Sequence, residues 1–418
     1  MTLARQLSAI PRRTLEALSG TELTSEPYEI IKFNDEPKIP TYGCQPSQKA
    51  REKYKCFGVF GQGSSMMDEL AKIKAAAECL ERMAIYNPNV QSLVKSKFNG
   101  NEYAAPELFS RDYEVKQLIR SSKHPSLKSS TYYWMESLDV LNGSRILIPA
   151  QAVYISRMFN REHILVKEQI TTGTALGKTH VEAYQRGLLE VIERDSFMLH
   201  YLNKSAVKKI VEFPKHVNEL IEYLRRYQIE TYIFDITTDI NVATFMTIAV
   251  DRTGLGPAIT VGLKAGFDNE ETAIASILEA VQSRRISRIM KELRGSEFKL
   301  PTKDDLNGVM SRYYYWYPRR GIRYLSFWLD CDKTVKFDEL PTHLKSFREA
   351  ETTLSDKNYH IFAADITLDE IDKAGFKVVK TLVPELHPLY ISEDAKVLHS
   401  VHGGHIKPAD GLKPHPFA

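Results

Sequence analysis

The sequence contains few cysteines and no run of apolar residues long enough to cross a membrane. Its 418 residues include four cysteines, which lie far apart and show neither a C-x-x-C pair nor any other metal-binding spacing. A transmembrane helix needs about 18 consecutive apolar residues, and no stretch approaches that length. We therefore expect reduced thiols, a cytoplasmic location and no membrane association.

The sequence also lacks a large excess of charge of either sign. Its formal net charge is +3, and no long basic run occurs among the 26% of residues that are charged. Nucleic-acid-binding proteins usually concentrate lysine and arginine on one surface, so we expect no nucleic-acid partner. A hydrophobic content of 43% is ordinary for a globular chain of this length, which can form a large core and up to three domains.

The order of predicted elements indicates an α/β or α+β fold, with mixed sheets packed by helices. Residues 1–50 are polar and contain several prolines, which predicts an N-terminal extension lying over a catalytic domain at 51–418. Within that domain, residues 131–155 predict a hairpin with an Asn-Gly turn. Apolar runs at 231–237 and 243–251 predict strands of one sheet, and a long helix is expected after them.

The stretch from Thr172 to Tyr201 carries the most specific pattern in the chain. Thr179 and Glu182 form a T-x-x-E capping box, so a helix is predicted to begin there, after a small glycine-containing loop. At about 100° per residue, Glu182, Glu190 and Glu193 share one helix face. Three carboxylates on one face repel each other, and a hard divalent cation such as Mg²⁺ would relieve that repulsion.

A similar pattern occurs earlier, at residues 56–86. A predicted glycine-rich turn from Gly58 to Ser65 precedes a helix that carries Glu78, Glu81 and Arg82 in the order E-x-x-E-R. The same order ends the stretch described above. For one helix alone, a solvated charged face is the simpler interpretation. Two helices with matching patterns instead favour five glutamates that point at one place.

Two segments of the chain also suggest other kinds of binding site, a P-loop and a zinc site. Gly173 to Thr179 resembles a P-loop, but only three residues separate its glycines where a P-loop has four, which argues against that motif. Near the C-terminus, His399, His402 and His405 could bind zinc, although their segment contains no cysteine or carboxylate partner. A packed or mobile tail is the expected state of that segment.

Taken together, these motifs resemble the YcaO family of ATP-dependent peptide-modifying enzymes, from about residue 56 to the C-terminus. The first two motifs are the glutamate-bearing helices, the second being preceded by G-T-A-x-G. The third is a late E-x-x-Q-S-R, and the fourth is the terminal Pro-His-Pro-Phe. The residues that carry the first three motifs are Glu78, Glu81, Arg82, Glu182, Glu190, Glu193, Arg194, Glu279, Gln282 and Arg284.

The resemblance implies a site in which glutamates hold Mg²⁺ ions that bridge the phosphates of ATP. The metal ligands would be Glu78, Glu81, Glu182, Glu190 and Glu193. Arg82 and Arg194 would act on the reacting phosphates. The nucleotide would also be bound by Ser64, Ser65, Lys178, Gln282 and Arg284. Glu182 is the least secure ligand, because the capping box explains it equally well.

Three positions at the implied nucleotide site depart from the family pattern, and Ala418 replaces the usual final proline after Pro-His-Pro-Phe. Lys74 replaces a frequent serine, Gln62 replaces a basic residue, and Lys178 replaces a frequent amide side chain. Each of these three replacements changes a phosphate contact that the resemblance implies, and Lys74 or Lys178 could compensate for Gln62.

The activity implied by the resemblance is ATP-dependent activation of a peptide backbone amide. Cyclodehydration of Cys, Ser or Thr to an azoline is the favoured reaction, and thioamidation with a sulfide source is the alternative. A different Mg-ATP ligase or kinase, or a non-catalytic accessory protein, remains open. The substrate would be a peptide or protein, delivered by a separate recognition or sulfur-delivery protein, and a homodimer is possible.

Overall fold

The computed structural model describes residues 13–97, 131–162, 168–295, 299–302, 306 and 308–417. Its strands are β1 (Tyr28–Glu29), β2 (Thr41–Cys44), β3 (Gly61–Ser64), β4 (Val94–Ser96), β5 (Tyr132–Asp139), β6 (Ser144–Pro149), β7 (Thr174–Gly177), β8 (Lys208–Val211), β9 (Ile229–Asp235), β10 (Ala243–Asp251), β11 (Ile259–Gly266), β12 (Thr334–Lys336), β13 (Phe362–Asp365), β14 (Lys377–Leu382), β15 (His399–Ser400) and β16 (Gly404–His405).

Three helices dominate the packing, and shorter helices connect the sheets. The labelled helices are α1 (Gln48–Tyr54), α2 (Asp68–Tyr86), α3 (Ala150–Val153), α4 (His180–Leu202), α5 (Lys215–Arg225), α6 (Asn269–Arg294), α7 (Val309–Tyr315), α8 (Arg320–Tyr324), α9 (Ser326–Leu329), α10 (Phe347–Asp356) and α11 (Asp369–Lys373). None of the helices in the described ranges combines the length and apolar character needed to cross a bilayer.

The strands form three main sheets and one small hairpin. The first sheet has the order β1-β2-β3, and the second has the order β4-β5-β13-β14-β7, with β6 paired to β5. The third has the order β11-β10-β9-β8-β12, in which only the β8–β12 pair is parallel. Strands β3, β7 and β11 are therefore each at the edge of a sheet, and α2, α4 and α6 pack against them.

The expected mixed α/β architecture is confirmed, including the hairpin of β5 and β6 and the sheet of β9, β10 and β11. The predicted glycine-rich turns before α2 and α4 are wrong in part. Residues 61–64 and 174–177 are strands. A Cβ added to Gly63 would lie 2.5 Å from the carbonyl oxygen of Ala71, so the glycine permits β3 to pack directly on the α2 backbone.

The N-terminal segment forms part of a sheet and also packs over the rest of the fold. Strands β1 and β2 extend the sheet that contains β3, although the predicted boundary at residue 50 stays a prediction. Glu36 is 1% exposed and accepts two hydrogen bonds of 2.9 Å from Arg284 and one of 2.7 Å from Arg288. Arg285 donates to the carbonyl oxygens of Pro37 and Ile39. Three arginines of α6 thus fix this segment.

The buried charge of Glu36 provides a test of this attachment. Glu36→Gln keeps the side-chain shape but leaves two buried guanidinium groups without a full partner, so we expect a loss of about 3–5 kcal/mol in the free energy of unfolding. Chemical denaturation measures the change. The matched control is Glu22→Gln, because the Glu22–Lys49 pair is exposed and its loss should be barely measurable. Equal stability of the two variants would contradict the buried network.

Candidate functional site

The candidate site lies where the edges of the three sheets approach one another. Backbone N–H groups at a sheet edge have no strand partner, and here glutamates of the packed helices accept them. On α2, Glu78 accepts from Gln62 N at 2.5 Å and Glu81 accepts from Leu176 N at 2.6 Å. The carboxylates of α2 therefore contact both β3 and β7.

Helices α4 and α6 repeat this arrangement. Glu190 accepts from Gly173 N at 2.8 Å, and Glu193 accepts from Ala265 N at 3.0 Å. On α6, Glu279 accepts from Leu263 N at 2.6 Å. Five carboxylates on three helices are thus oriented by the same kind of backbone contact. We call Glu78, Glu81, Glu190, Glu193 and Glu279 the carboxylate cluster.

Two arginines supply positive charge to the carboxylate cluster. Arg82 pairs with Glu78 at 2.7 Å and also donates to the carbonyl oxygen of Phe60. Arg194 hydrogen-bonds to Glu193, pairs with Glu190 at 3.2 Å and lies 3.9 Å from Glu279. Arg194 therefore links the carboxylates of α4 to that of α6.

The two arginines do not neutralise the cluster, and the pKa values of Glu81, Glu279 and Glu78 are raised. Burial, together with the charges of Glu78 and Glu190, raises the pKa of Glu81 to about 8, against the lowering effect of the backbone hydrogen bond. Burial and the charge of Glu193 raise the pKa of Glu279 to about 7. Burial also raises the pKa of Glu78. A cation bound at the cluster would favour the ionised forms of these carboxyl groups.

The donor chemistry of the cluster fits a hard divalent cation. Carboxylate oxygens are the ligands that Mg²⁺ prefers, and in Glu78, Glu190, Glu193 and Glu279 the second oxygen faces an arginine. In the part of the chain that the structure describes, no three acidic, histidine or cysteine side chains already converge on one ion position. The second oxygens would have to reorient from arginine to metal.

Several predicted site residues have other contacts. Glu182 accepts from the backbone N–H of Lys178 at 2.9 Å and pairs with Arg186 at 2.5 Å, in the first turn of α4. The predicted capping box is formed in part: the Thr179 hydroxyl accepts from the backbone N–H of Glu182 at 3.1 Å, whereas the Glu182 carboxylate binds the residue before the cap. Arg284 is held by Glu36 and Asp251. The predicted roles of Glu182 as a metal ligand and of Arg284 and Lys178 as nucleotide contacts stay predictions.

Ser64, Ser65 and Gln282 lie beside the cluster. The Ser64 hydroxyl is 2.9 Å from that of Thr41, and the Ser65 hydroxyl accepts from Met67 N at 3.3 Å. Gln282 is half-buried, three residues after Glu279 on α6. Their predicted contacts with a nucleotide also stay predictions.

Glu279 and Tyr313 are absent from the predicted ligands and contacts. Glu279 was visible only as the first residue of the third motif, whose helix lacks a second glutamate three positions later. Tyr313, on α7, is 8% exposed, and burial together with the charge of Glu279 raises its pKa. A tyrosine so far along the chain has no local sequence pattern that indicates this position.

The C-terminal tail packs along α4. His402 hydrogen-bonds to Asp195 at 2.8 Å and to Asp239 at 2.5 Å, so the two carboxylates raise its pKa to about 9 although burial opposes this. The guanidinium of Arg194 lies 4.1 Å from the centre of the Phe417 ring. The expected packed tail is thus observed, and within the described ranges its histidines do not form a zinc site.

Comparison with known proteins adds a family match. The family model described as "YcaO cyclodehydratase, ATP-ad Mg2+-binding" matches residues 62–387. A protein from Methanothermobacter thermautotrophicus named only "Uncharacterized protein" is 26% identical over 260 residues, which cover 60% of this chain and 65% of that protein. An "Uncharacterized protein in tfuA 3'region" of Rhizobium leguminosarum bv. trifolii is 27% identical over 36% of this chain and 38% of its own length. The chain thus spans less than two thirds of these relatives.

Similar solved structures share the fold at low sequence identity. YcaO from Methanopyrus kandleri, bound with AMPPCP and Mg²⁺, has a TM-score of 0.60 and 19% identity, with 90% of this chain and 91% of that chain covered. A heterocyclase in complex with substrate and cofactor has a TM-score of 0.67 and 15% identity over 90% of this chain and 52% of that chain. The Escherichia coli microcin synthetase McbBCD complex has a TM-score of 0.61 and 17% identity, with 86% of this chain and 88% of that chain covered.

The raised pKa values predict how stability depends on pH. Glu81 and Glu279 keep their protons in the folded state at a pH where the unfolded chain, with ordinary values near 4.5, has lost them. Their contribution to stability is complete below that value and is lost as the pH rises through about 7 to 8. His402 acts in the same direction up to about 9. We expect the Tm in EDTA to fall between pH 6 and pH 9.

The variant Glu81→Gln isolates the contribution of the cluster. It should flatten this pH dependence, because a neutral amide needs no proton. Differential scanning calorimetry of both proteins in EDTA provides the measurement. A Tm that rises towards pH 9 in both proteins would rule out an electrostatically crowded cluster.

Proposed function

Since this chain belongs to the YcaO family, we propose that it uses Mg-ATP to activate a backbone amide of a peptide by O-phosphorylation. The observation that carries the proposal is the carboxylate cluster, in which five glutamates from three helices are paired, within the described residues, with two arginines. That excess of hard oxygen donors fits the binding of divalent cations. The family description, with its ATP and Mg²⁺, supports the same conclusion.

In this proposal the cluster residues hold Mg²⁺, with Glu78 and Glu81 on one side and Glu190, Glu193 and Glu279 on the other. Bound Mg²⁺ would neutralise the phosphate oxygens of ATP. Arg82 and Arg194 already contact the carboxylates and can turn to phosphate oxygens once a cation replaces them. Their fixed positive charge would stabilise the negative charge that develops during phosphoryl transfer.

The proposed reaction exchanges the amide oxygen for another atom. A nucleophile adds to the carbonyl carbon, and the resulting oxyanion attacks the γ-phosphate of ATP, which releases ADP. Loss of phosphate then removes the former carbonyl oxygen. When the nucleophile is a neighbouring Cys, Ser or Thr side chain, that side chain loses its proton on addition, and the amide nitrogen loses its proton as phosphate leaves. The C=N bond of an azoline ring is then formed.

We favour the azoline product over a thioamide. Support comes from the wording of the family description, "cyclodehydratase", and from the heterocyclase among the structures with the same fold. We further propose that a separate protein delivers the peptide. Support for that arrangement comes from the microcin synthetase, which is a complex of several proteins.

Loss of a single cluster carboxylate should weaken Mg-ATP binding. We expect Glu190→Gln and Glu193→Gln each to lower the affinity at least about tenfold, because each substitution removes a charged oxygen donor. Isothermal titration with Mg-ATP measures the affinity. The control is Glu222→Gln, because Glu222 forms an exposed ion pair on α5. Unchanged affinity in both cluster variants would contradict the proposed metal site.

The product can be identified by mass spectrometry. A candidate peptide incubated with the protein, its delivery partner, Mg²⁺ and ATP should lose about 18 Da per azoline, because the amide oxygen leaves with two hydrogens. A gain of about 16 Da in the presence of sulfide would instead identify a thioamide and overturn the azoline assignment. Glu193→Gln in place of the wild-type protein should abolish the mass change.

A further inference from the structure

Strand β9 of the third sheet has an edge that is paired along only part of its length. Strand β8 pairs with β9 at two positions, the last of which is Lys209 opposite Phe234, and its later residues pair with β12 alone. The register of β9 with β10 extends much further, back to Ile229. Among the described residues, no strand therefore pairs with the first half of β9 on the side away from β10.

The backbone of Thr231 points towards this open side. The N–H of Ile236 donates to the carbonyl oxygen of Thr244 at 2.9 Å, so the backbone groups of Ile236 point at β10. Since this direction alternates along an antiparallel strand, the N–H and C=O of Thr231, an odd number of positions away, point away from β10. The Thr231 hydroxyl also has no hydrogen-bond partner among the described residues.

A groove of about 750 Å³ follows the open side of β9. Glu230 and Thr231, whose side chains leave from opposite faces of the strand, both line it, so the groove extends over the two faces. Ile221 and Arg225, one turn apart on α5, line it on one side, and Arg252 lines it from the segment after β10. The edge is thus open to a thin extended chain but recessed beside a helix.

The groove carries more positive than negative charge. Its lining includes Arg225 and Arg252, with Glu230 as the acidic residue. Arg225 pairs with Glu222 at 3.0 Å and Arg252 pairs with Glu230 at 2.8 Å, and both arginines are exposed. Exposed ion pairs contribute little to stability, so either guanidinium can turn to a carboxylate of a ligand at small cost.

We propose that this groove binds an extended, acidic segment of the substrate peptide, which adds to β9 as a further strand. The proposal rests on the peptide-modifying function inferred above and names the surface of this chain that holds the substrate. Main-chain hydrogen bonds bind an added strand whatever its sequence, and the flanking side chains supply a preference. Because the edge is recessed beside α5, the same edge of a second copy would meet that helix first, which favours a single peptide chain.

The sheet register gives the separation between the groove and the carboxylate cluster. Leu263, whose N–H binds Glu279, is opposite Met246, which is opposite Phe234. Glu230 precedes Phe234 by about 13 Å along the strand, and two strand spacings add about 10 Å across the sheet, a straight line of about 16 Å. A peptide bound at both places therefore needs at least about five residues between the bound segment and the modified amide.

Fluorescence anisotropy with synthetic peptides tests the groove directly. The probe is a labelled peptide of about ten residues in which glutamate and valine alternate, a pattern that suits an added strand. A version that is N-methylated along its central residues loses the N–H groups of both edges, and we expect it to bind at least about tenfold more weakly. A version with lysine in place of glutamate should also bind at least about tenfold more weakly, because it has no carboxylates for the two arginines.

Two variants of the protein remove the two kinds of contact separately. Thr231→Pro removes an N–H that has no partner in the described fold, so the strand is kept while the peptide loses a donor. Arg252→Glu reverses a charge at an exposed position. Each should weaken binding of the glutamate peptide at least about tenfold. The matched control is Arg145→Glu, because Arg145 is exposed on a different sheet, and it should leave the affinity unchanged.

Three results would overturn the inference: equal binding of the N-methylated peptide and its parent, wild-type affinity in both Thr231→Pro and Arg252→Glu, or no binding of the glutamate peptide. Analytical ultracentrifugation tests the other occupant. A wild-type dimer that Thr231→Pro dissociates would assign the edge to a second copy and would also overturn the inference. A circular dichroism spectrum identical to that of the wild type excludes misfolding of each variant.

Titration with Mg-ATP separates the inference from the proposed function, because groove binding needs no nucleotide and Mg-ATP binding needs no peptide. If the glutamate peptide binds as expected and the wild-type protein binds no Mg-ATP, the groove stands and the proposed function fails. If Mg-ATP binds and a substrate peptide is modified equally fast by the wild type, Thr231→Pro and Arg252→Glu, the function stands and the groove is overturned.

Discussion

The structure of the site depends on how the open edges of three sheets are satisfied. Strands β3, β7 and β11 have N–H groups that no neighbouring strand accepts, and glutamates of α2, α4 and α6 accept them instead. A carboxylate can reach its strand only if the helix lies very close, which explains the glycines in these strands. One requirement, hydrogen bonding at the sheet edges, thereby concentrates five carboxyl groups in a small volume.

Much of this site could be predicted from local patterns, because its parts are repeated within single helices. Glu78, Glu81 and Arg82 share one helix face, as do Glu190, Glu193 and Arg194, and the helix period alone indicates that each set points in one direction. Glu279 could not be found in this way, since α6 carries one glutamate of the cluster. The glycine-rich strands were taken for turns, because a close helix contact and a tight turn both require glycine.

Contacts between residues distant in sequence were beyond prediction. Glu36 pairs with Arg284 across 248 positions, and nothing in the polar N-terminal stretch distinguishes this glutamate from its exposed neighbours. The tail is similar, because the carboxylates that bind His402 come from α4 and from the loop before β10. Both cases are buried charges whose partners arrive only when the fold is complete.

The three helices of the cluster belong to different hydrophobic cores. Residues of α2 pack in one core, those of α6 in another, and α4 contributes to three more. An ion bound by all three would close chain loops on the order of a hundred residues, as a disulfide does. Ligand affinity would then include the free energy of docking the cores against one another. A substitution deep in one core, far from any phosphate, would weaken binding without touching the site.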